Sequence, residues 1–244
     1  MAMLTSFRNL LSVAVNPLFQ SAKGIQLQTD RRYGEALELE YYGNEKNWAF
    51  LPQEIEIFDE LNLRGPLDLL VVGCGAGREF SKLGMHRLYG VDSCDRLLQL
   101  CQKQFPEVIL CTNLDSLFTK FDVIYISFHV YNHIQGKENR IGFLKALKEM
   151  LKVNGEIYLH TDEFDLRDGY KFQLASFILR LRWFISGISW EKGDTVRAYN
   201  GDHNPFGRIF FYHYFLNEDD VLGEMISLDM KIVRKNNYWR LIKN

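Results

Sequence analysis

Residues 67–80 read LDLLVVGCGAGREF, a stretch that joins an apolar run to a glycine-rich loop. Residues 67–72 are almost wholly apolar, as expected for a strand that is buried on both faces of a parallel sheet. Gly73, Gly75 and Gly77 follow at intervals of two residues. Because glycine has no side chain, such a loop can turn sharply and let a bound molecule approach the backbone. The stretch therefore predicts a strand that leads into a ligand-binding loop.

Strand and helix patterns alternate through the middle of the sequence. Further strands are predicted at residues 88–91, 108–111, 121–128 and 156–160, and helices at residues 78–83, 95–105 and 138–151. The Asn154-Gly155 pair is predicted to form the turn that follows the last of these helices. Apolar strands separated by helices form parallel sheets with helices on both faces, so the pattern indicates an α/β fold.

The C-terminal part of the sequence predicts a different ending for the sheet. Asn217 is followed by three acidic residues, which is typical of the first turn of a helix. Residues 229–234 and 238–242 then have strand character and are joined by a very short turn. Two strands joined so closely must be antiparallel, so a mostly parallel sheet is expected to end in an antiparallel hairpin.

Residues between the fifth strand and the last helix differ in character from the rest. Residues 171–186 predict a helix that is apolar nearly all round, and residues 208–215 predict an aromatic strand, RIFFYHYF. We expect residues 164–207 to form an insertion that covers the substrate side of the sheet. The chain is accordingly divided into an N-terminal helical cap or lid segment, residues 1–65, and a core, residues 66–244.

The spacing of the glycines separates three kinds of ligand-binding loop. A Walker-type phosphate loop requires Gly-Lys-Ser/Thr, which does not follow Gly73. A dinucleotide-binding loop requires a glycine where this sequence has Arg78, and here that glycine comes one residue early, at Gly77. The first kind is excluded and the second is disfavoured.

The G-x-G-x-G pattern resembles the first motif of the class I S-adenosylmethionine-dependent methyltransferases, and the resemblance extends to the terminal hairpin. It implies a Rossmann-like, seven-stranded, mostly parallel sheet, S-adenosyl-L-methionine as cofactor, and methyl transfer as the reaction. It also implies that Gly73, Cys74, Gly75 and Gly77 contact the methionine and ribose parts of the cofactor. The sequence departs from the family at Val71, where an acidic residue is common.

The resemblance assigns further cofactor contacts to the ends of the later strands. Asp92, with Ser93 beside it, ends the second strand, where a carboxylate accepts hydrogen bonds from the ribose diol. Asn113 and Leu114 fall where the family has an acid or amide that faces the adenine, although Asn113 can equally be a turn or helix cap residue. Phe128, next to Ser127 at the end of the fourth strand, would flank the adenosine or the methyl group.

Methyl transfer from a sulfonium requires the nucleophile, methyl group and sulfur to lie in line, and a base only where the acceptor must lose a proton. Ligands bind at the carboxyl ends of strands in open α/β sheets. His129, His133 and Asp162 follow the fourth and fifth strands and are the candidate catalytic residues. His160 also lies there, and any of these histidines can instead be a packing residue.

Aromatic residues before the first strand are candidates for a lid. Tyr41, Tyr42 and Trp48 could face the sulfonium by cation–π attraction, or could pack as ordinary helix residues. His203, in a polar stretch of the insertion, could contact the substrate from a loop. His213 lies in the aromatic strand and is more typical of a core histidine.

Composition narrows the possible partners. The chain of 244 residues has a formal net charge of −2, so no global basic field recruits nucleic acid or an anionic membrane. Its four cysteines form no C-x-x-C pair, which disfavours a zinc site, and we predict no metal. Free thiols are typical of a reducing compartment, so a cytoplasmic location is expected. No apolar run is long enough to span a membrane, and residues 1–19 predict a covering helix or, alternatively, a targeting segment.

Three functions remain open. The first is a methyltransferase that acts on a small molecule inside a pocket lined by the apolar and aromatic insertion. The second is a methyltransferase that acts on tRNA or another RNA at a modified uridine, because residues 193–201 and 206–221 are similar to the late region of such enzymes. The third is a non-catalytic protein that binds the cofactor and works through a partner.

Overall fold

A computed structural model describes residues 31–163, 190–198 and 209–244, together with Ile25, Thr29, Phe177 and Leu181. The described residues form nine strands: β1 Asp68–Val72, β2 Arg87–Val91, β3 Ile109–Cys111, β4 Phe121–Ile126, β5 Leu151–His160, β6 Asp194–Ala198, β7 Ile209–His213, β8 Met230–Lys235 and β9 Tyr238–Lys243. They also form five α-helices: α1 Ala36–Gly43, α2 Pro52–Asn62, α3 Asp95–Gln104, α4 Lys137–Glu149 and α5 Glu218–Met225.

The contacts of the chain divide it into two units. The smaller unit comprises Met1–Arg32, Asn132–Ile141 and Asp162–Glu224, and the larger comprises Tyr33–Tyr131, Gly142–Thr161 and Met225–Asn244. His203 and most of the predicted helix at residues 171–186 lie outside the described residues. The division into a lid segment and a core at residue 65 therefore stays a prediction.

The larger unit is built on a seven-stranded sheet in the order β3-β2-β1-β4-β5-β9-β8. β1 to β5 pair in parallel, whereas β9 pairs antiparallel with both β5 and β8. The predicted mostly parallel sheet with an antiparallel terminal hairpin is confirmed. β1 is central, and its residues from Leu69 onwards are buried, as its unbroken apolar run predicts.

Local sequence signals account for the ends of the helices. Pro52 begins α2, where a residue without an N–H group leaves no donor unpaired, and the Glu54 carboxylate accepts from the Leu51 nitrogen at 2.8 Å. Asn217 precedes α5, and its side-chain oxygen accepts from the Asp220 nitrogen at 3.0 Å. The predicted start of the last helix is thereby confirmed.

One local prediction is confirmed within a residue at each end, and another is wrong. The short helix predicted at residues 78–83 is present as the 3₁₀ helix Glu79–Lys82. The Asn154-Gly155 pair does not form a turn directly after α4, which ends at Glu149. It lies inside β5 instead. The pairing of β5 with β4 shifts there, and Asn154 has a φ of 60°. The Asn-Gly pair therefore allows a bulge in a strand, which requires the same left-handed backbone as a turn.

The smaller unit contains a two-stranded antiparallel sheet, in which Asp194 of β6 lies opposite His213 of β7. Successive side chains of a strand point to opposite faces. Accordingly, Phe210 and Tyr212 cluster with Tyr214, whereas Phe211 packs near Trp190, with ring centroids 6.0 Å apart. The predicted aromatic strand is confirmed, and its two faces have different surroundings.

A buried ionic network stabilises the second face of β7. The Arg140 guanidinium, with a side chain 1% exposed, lies 2.6 Å from Glu224 and 2.7 Å from Glu191. His213 Nδ1 lies 2.7 Å from the Asp194 carboxylate. Ligand atoms of Glu191, Asp194 and His213 lie within 4.8 Å of one another, but Arg140 and backbone N–H groups already bind these carboxylates. The network is therefore a structural ion cluster.

Among the described residues, no helix combines the length and the hydrophobicity that crossing a bilayer requires.

Candidate active site

The glycine loop begins directly after β1 and is hydrogen-bonded to the end of β2. Backbone nitrogens of Gly73 and Cys74 both donate to the Val91 carbonyl, at 2.7 and 3.2 Å. Gly73, Gly75 and Gly77 have φ values of +75°, +52° and +96°. All three lie in the left-handed region that side chains disfavour, so the backbone path itself requires glycine.

The surroundings of the three glycines differ. A Cβ at Gly73 would lie 2.2 Å from Val130 Cγ2, and one at Gly77 would lie 2.8 Å from the Phe105 ring. A Cβ at Gly75 would be no closer than 3.7 Å, to Leu97. The protein's own side chains therefore fill the space at Gly73 and Gly77, whereas Gly75 is the position where the bare backbone leaves room beside the loop.

Asp92 connects the glycine loop to the end of β2. Its Oδ2 accepts from the Gly75 nitrogen at 2.9 Å, and its Oδ1 accepts from the Cys94 nitrogen at 2.8 Å. Burial raises the pKa of Asp92, and these two backbone hydrogen bonds partly oppose the rise. Ser93, beside it, is exposed. The structure thus brings the predicted carboxylate to the predicted loop.

Arg78 anchors the loop to the helix that precedes β1. Its guanidinium lies 2.6 Å from Glu54 and 2.8 Å from Glu79, and it donates to the Ala49 carbonyl at 2.6 Å. The same group lies 4.8 Å from the Phe50 ring centre. Glu54 is completely buried. Arg78 therefore stabilises the position of the loop against α2, a role that the spacing of the glycines did not predict.

Asn113 begins the 3₁₀ helix Leu114–Ser116. Its side-chain oxygen accepts from the Ser116 nitrogen at 3.1 Å and from the Ser116 hydroxyl at 2.8 Å. Asn113 is exposed and Leu114 is half-buried. The cap that the sequence offered as an alternative is present, and the predicted contact with adenine stays a prediction.

Aromatic rings gather where β4 and β5 end. The ring of Phe128 lies 3.6 Å from that of His129 and 4.4 Å from that of His160, measured between centroids. His129 has a φ of 69°, a costly conformation for a residue with a side chain, and such residues cluster at functional sites. Ser127, at the start of this turn, is buried. The structure therefore brings together the candidates predicted at these two strand ends.

The predicted lid aromatics pack beside the glycine loop. Tyr42 and Trp48 lie in one apolar cluster with Ala76 of the loop and with Cys94. Trp48 Nε1 donates to the Tyr42 carbonyl at 2.8 Å, whereas Tyr41 is 51% exposed. Tyr33, which the sequence reading missed, completes the cluster by an edge contact with Tyr42. No periodic signal distinguished Tyr33 from its neighbours.

The remaining two candidates, His133 and Asp162, lie in the smaller unit, where both contact Tyr212. His133 Nδ1 lies 3.0 Å from the Phe211 carbonyl, and its ring packs edge-on against Tyr212. The Tyr212 hydroxyl donates to the Asp162 carboxylate. Asn132 also donates to the His213 carbonyl at 2.7 Å. Tyr212 was missed as a site residue, although the period of two in RIFFYHYF could have marked it as one face of a strand.

Comparison with known proteins finds a methyltransferase domain in this chain. Residues 70–159 match the family model described as a methyltransferase domain. The chain is 31% identical over 138 residues to "Probable tRNA methyltransferase 9B" of Mus musculus, which covers 56% of this chain and 28% of that protein. A Bos taurus protein of the same description is 30% identical over 92 residues, 37% of this chain and 20% of that protein. The chain thus spans less than a third of the length of these curated relatives.

Solved structures show the same fold at low sequence identity. An amino pentose methyltransferase from Micromonospora echinaspora, solved with S-adenosylmethionine, is 14% identical with a TM-score of 0.54, covering 86% of this chain and 97% of its own. An S-adenosylmethionine-dependent methyltransferase from Methanosarcina mazei is 15% identical with a TM-score of 0.58, covering 79% and 96%. Residues 70–159 thus match a methyltransferase domain, and the sheet has the fold of these S-adenosylmethionine-dependent methyltransferases.

Proposed function

We propose that the chain transfers a methyl group from S-adenosylmethionine to a small-molecule acceptor. The observation that carries the proposal is the pairing of Gly75 with Asp92. The loop leaves room at Gly75, and the carboxylate that ends β2 is fixed to the same backbone nitrogen at 2.9 Å. A bare backbone next to a carboxylate suits an adenosyl group, whose ribose presents two hydroxyl donors.

The residues at the site fit this cofactor. Gly75 would lie against its methionine and ribose, with Asp92 and Ser93 at the ribose hydroxyls. Gly73, Cys74 and Gly77 would contact the same parts through backbone atoms, because Val130 and Phe105 occupy the side-chain space at the two glycines and the Cys74 side chain is buried. Asn113 and Leu114 would lie at the adenine, and Phe128 would flank the adenosine. The buried Ser127 hydroxyl has no hydrogen-bond partner among the described residues, so it is a polar atom that a ligand could satisfy.

The bound cofactor supplies an electrophilic methyl group on a positively charged sulfur. The protein has to hold the acceptor in line and exclude water. Tyr42 and Trp48, packed on Ala76, are suited to exclude water from the loop. For an acceptor that must lose a proton, we propose His129, which follows the end of β4, as the group that takes it. The contacts of His133 with β7 favour a positioning role for that residue.

A small molecule is favoured over RNA by the charges of the terminal hairpin. The sequence there is basic, but Arg240 lies 2.5 Å from Glu156, and Lys235 is paired with Glu56. Arg234 donates to the Asn236 carbonyl at 2.6 Å. The carboxylates of Glu156 and Glu56 offset the positive charge of Arg240 and Lys235, which a phosphate backbone would otherwise attract.

A tRNA acceptor is the second candidate, because the curated relatives that match over 138 and 92 residues are described as tRNA methyltransferases. The two candidates differ in salt dependence. Binding to RNA weakens steeply as salt is raised, because phosphate contacts release counterions. A tRNA mobility shift at low salt that disappears at high salt would favour this second candidate.

Calorimetric titration with S-adenosylmethionine tests the cofactor, and the absence of binding at millimolar concentration would refute the proposal. The acceptor is then sought by incubating the chain and labelled cofactor with separated small-molecule and RNA fractions of a cell extract. Label in the small-molecule fraction is the expected result. Binding without any turnover would instead indicate a non-catalytic cofactor-binding protein.

A further inference from the structure

Four neighbouring strands of the seven-stranded sheet end at the same level. The pairing register places Cys111 of β3 beside Val91 of β2, and Val91 beside Val72 of β1. Val72 in turn lies beside Ile126 of β4. Neighbouring strands lie about 4.8 Å apart, so the residues that follow these ends form a row along the carboxyl edge of the sheet.

The backbone hydrogen bonds continue one residue beyond the ends of β1 and β4. The Gly73 nitrogen donates to the Val91 carbonyl at 2.7 Å, and the Ser127 nitrogen donates to the Val72 carbonyl at 2.9 Å. The Val130 nitrogen donates to the Ser127 carbonyl at 3.1 Å, and Val130 Cγ2 lies 2.2 Å from the position of a Cβ at Gly73. The turn that Ser127 begins therefore packs directly on the first glycine of the loop.

Asp92 and Ser127 lie on the same face of the sheet. Two residues earlier in their strands, Gly90 and Tyr125 both pair in register with Val71. Side chains alternate between the two faces along a strand, so residues two apart share a face. The Asp92 and Ser127 side chains therefore flank the start of the glycine loop, with their backbones two strand spacings, or about 10 Å, apart.

The Ser127 side chain is a buried polar group that lacks a partner. The residue is 6% exposed, and its hydroxyl has no hydrogen-bond partner among the described residues. Leaving a buried donor or acceptor unsatisfied costs free energy, so such a group in a folded protein calls for an explanation. A ligand that lies along the row of strand ends would supply the missing partner.

We propose that the Ser127 hydroxyl binds the amino-acid part of S-adenosylmethionine. The proposal rests on the proposed function, which puts the ribose at Asp92, after β2, and the adenine at Asn113, after β3. Because adenine, ribose, sulfur and amino acid follow one another in the cofactor, the amino-acid end then extends past the glycine loop to the end of β4. Its ammonium and carboxylate groups can each bond to a hydroxyl, which both donates and accepts.

The test measures, by calorimetry, the affinities of the wild type and Ser127→Ala for S-adenosylhomocysteine and methylthioadenosine. Both compounds have the adenosine and a neutral thioether sulfur, but only the first has the amino-acid part. We expect Ser127→Ala to weaken binding of S-adenosylhomocysteine about tenfold, as for a hydrogen bond to a charged group, and binding of methylthioadenosine by less than about twofold. Ser81→Ala is the matched control, because its hydroxyl already donates to the Arg78 carbonyl at 2.7 Å, and it should change neither affinity.

The outcomes separate this proposal from the proposed function. Equal losses for the two compounds would place the hydroxyl at the adenosine, and no loss for either would exclude a contact with the ligand. Both results overturn the assignment of Ser127 while leaving cofactor binding intact. If the wild type binds neither compound, the proposed function fails, and this proposal fails with it.

The variant should fold normally, because alanine removes a buried hydroxyl that has no partner among the described residues. Circular dichroism checks the fold. Should Ser127→Ala not fold, Ser127→Cys keeps the shape of the side chain and replaces the hydroxyl by a weak donor. The same selective loss of affinity for S-adenosylhomocysteine is expected, and its absence would overturn the proposal.

Discussion

The Asp92 carboxylate accepts hydrogen bonds from two backbone nitrogens, Gly75 at 2.9 Å and Cys94 at 2.8 Å, and so joins the ends of β1 and β2. We expect Asp92→Asn to weaken binding of S-adenosylmethionine about tenfold or more, because a charged acceptor is replaced by a neutral one. The free energy of unfolding should also fall by about 1–2 kcal/mol, since an amide oxygen can keep one backbone bond but leaves the other N–H group unpaired. Asp95→Asn, an exposed change in the same segment, should leave affinity unaltered. A normal affinity in Asp92→Asn would contradict the assignment.

Cofactor binding should also depend on pH through Asp92. Burial raises the pKa of this carboxyl above 3.8, despite its backbone hydrogen bonds. Protonation removes an acceptor, so affinity should fall as the pH drops through this raised pKa, and should be constant above it. Calorimetry in matched buffers measures the profile, and Asp92→Asn should lack this component. Identical profiles for the two proteins would exclude Asp92 as the titrating group.

Substitutions of the loop glycines should affect stability and cofactor binding to different extents. Gly77→Ala places a Cβ 2.8 Å from Phe105 at a φ of +96°, and we expect a loss of about 2–4 kcal/mol in the free energy of unfolding. Gly75→Ala meets nothing closer than 3.7 Å, so we expect a loss of about 1–2 kcal/mol together with weaker cofactor binding. Urea denaturation and calorimetry separate the effects. Gly84→Ala, where a Cβ has open space, is the control.

Arg140 should be essential for the stability of the smaller unit. Arg140→Ala leaves Glu224 and Glu191 as carboxylates without their cation, and breaking a buried pair in this way costs about 3–5 kcal/mol. Urea denaturation measures the loss. Arg87→Ala removes an arginine of which 68% is exposed, and should leave the free energy of unfolding almost unchanged. Equal effects of the two changes would show that burial is not the cause.

The ion pairs of Glu156 should make stability depend on pH. Burial alone would raise the pKa of Glu156, but hydrogen bonds from Arg240 and Arg64 outweigh it, so the pKa lies below 4.5. A carboxyl group whose pKa is lowered on folding stabilises the fold at pH values above its ordinary pKa. This stabilisation is lost as the pH falls through the pKa of the folded state. Glu156→Gln should therefore cost about 1–2 kcal/mol at neutral pH, and the gap to the wild type should close in acid. Glu149→Gln, at an exposed position, should show no such gap.

Much of the larger unit could be predicted because its signals are local. The apolar run before Gly73, the one-sided pattern of α3 and the acids after Asn217 each specify an element within a few residues. The number of strands in the sheet followed from the family resemblance rather than from any single segment. The Asn154-Gly155 prediction was wrong because the pair specifies a backbone conformation, and a bulge inside β5 uses that conformation as readily as a turn does.

The candidate site was predicted less completely than the fold. Gly75 and Asp92 could be paired in advance, because carboxyl ends of parallel strands meet at one edge of a sheet. The contact of Arg78 with Glu54 and that of Tyr212 with Asp162 could not, since each joins residues far apart in sequence and leaves no periodic pattern. Such pairs depend on tertiary packing, which composition and spacing do not encode.

The insertion of β9 between β5 and β8 has a consequence for folding order. β8 precedes β9 in the chain, yet among the described strands it pairs with β9 alone, with Val233 paired to Arg240 and Arg240 to Tyr158. β8 therefore cannot add to the sheet before β9 has been synthesised and has docked. Because the pairing of β9 with β5 joins distant parts of the chain, closure of this edge is expected to be a late and slow step. A chain interrupted before β9 would leave the edge of β5 exposed and prone to aggregation.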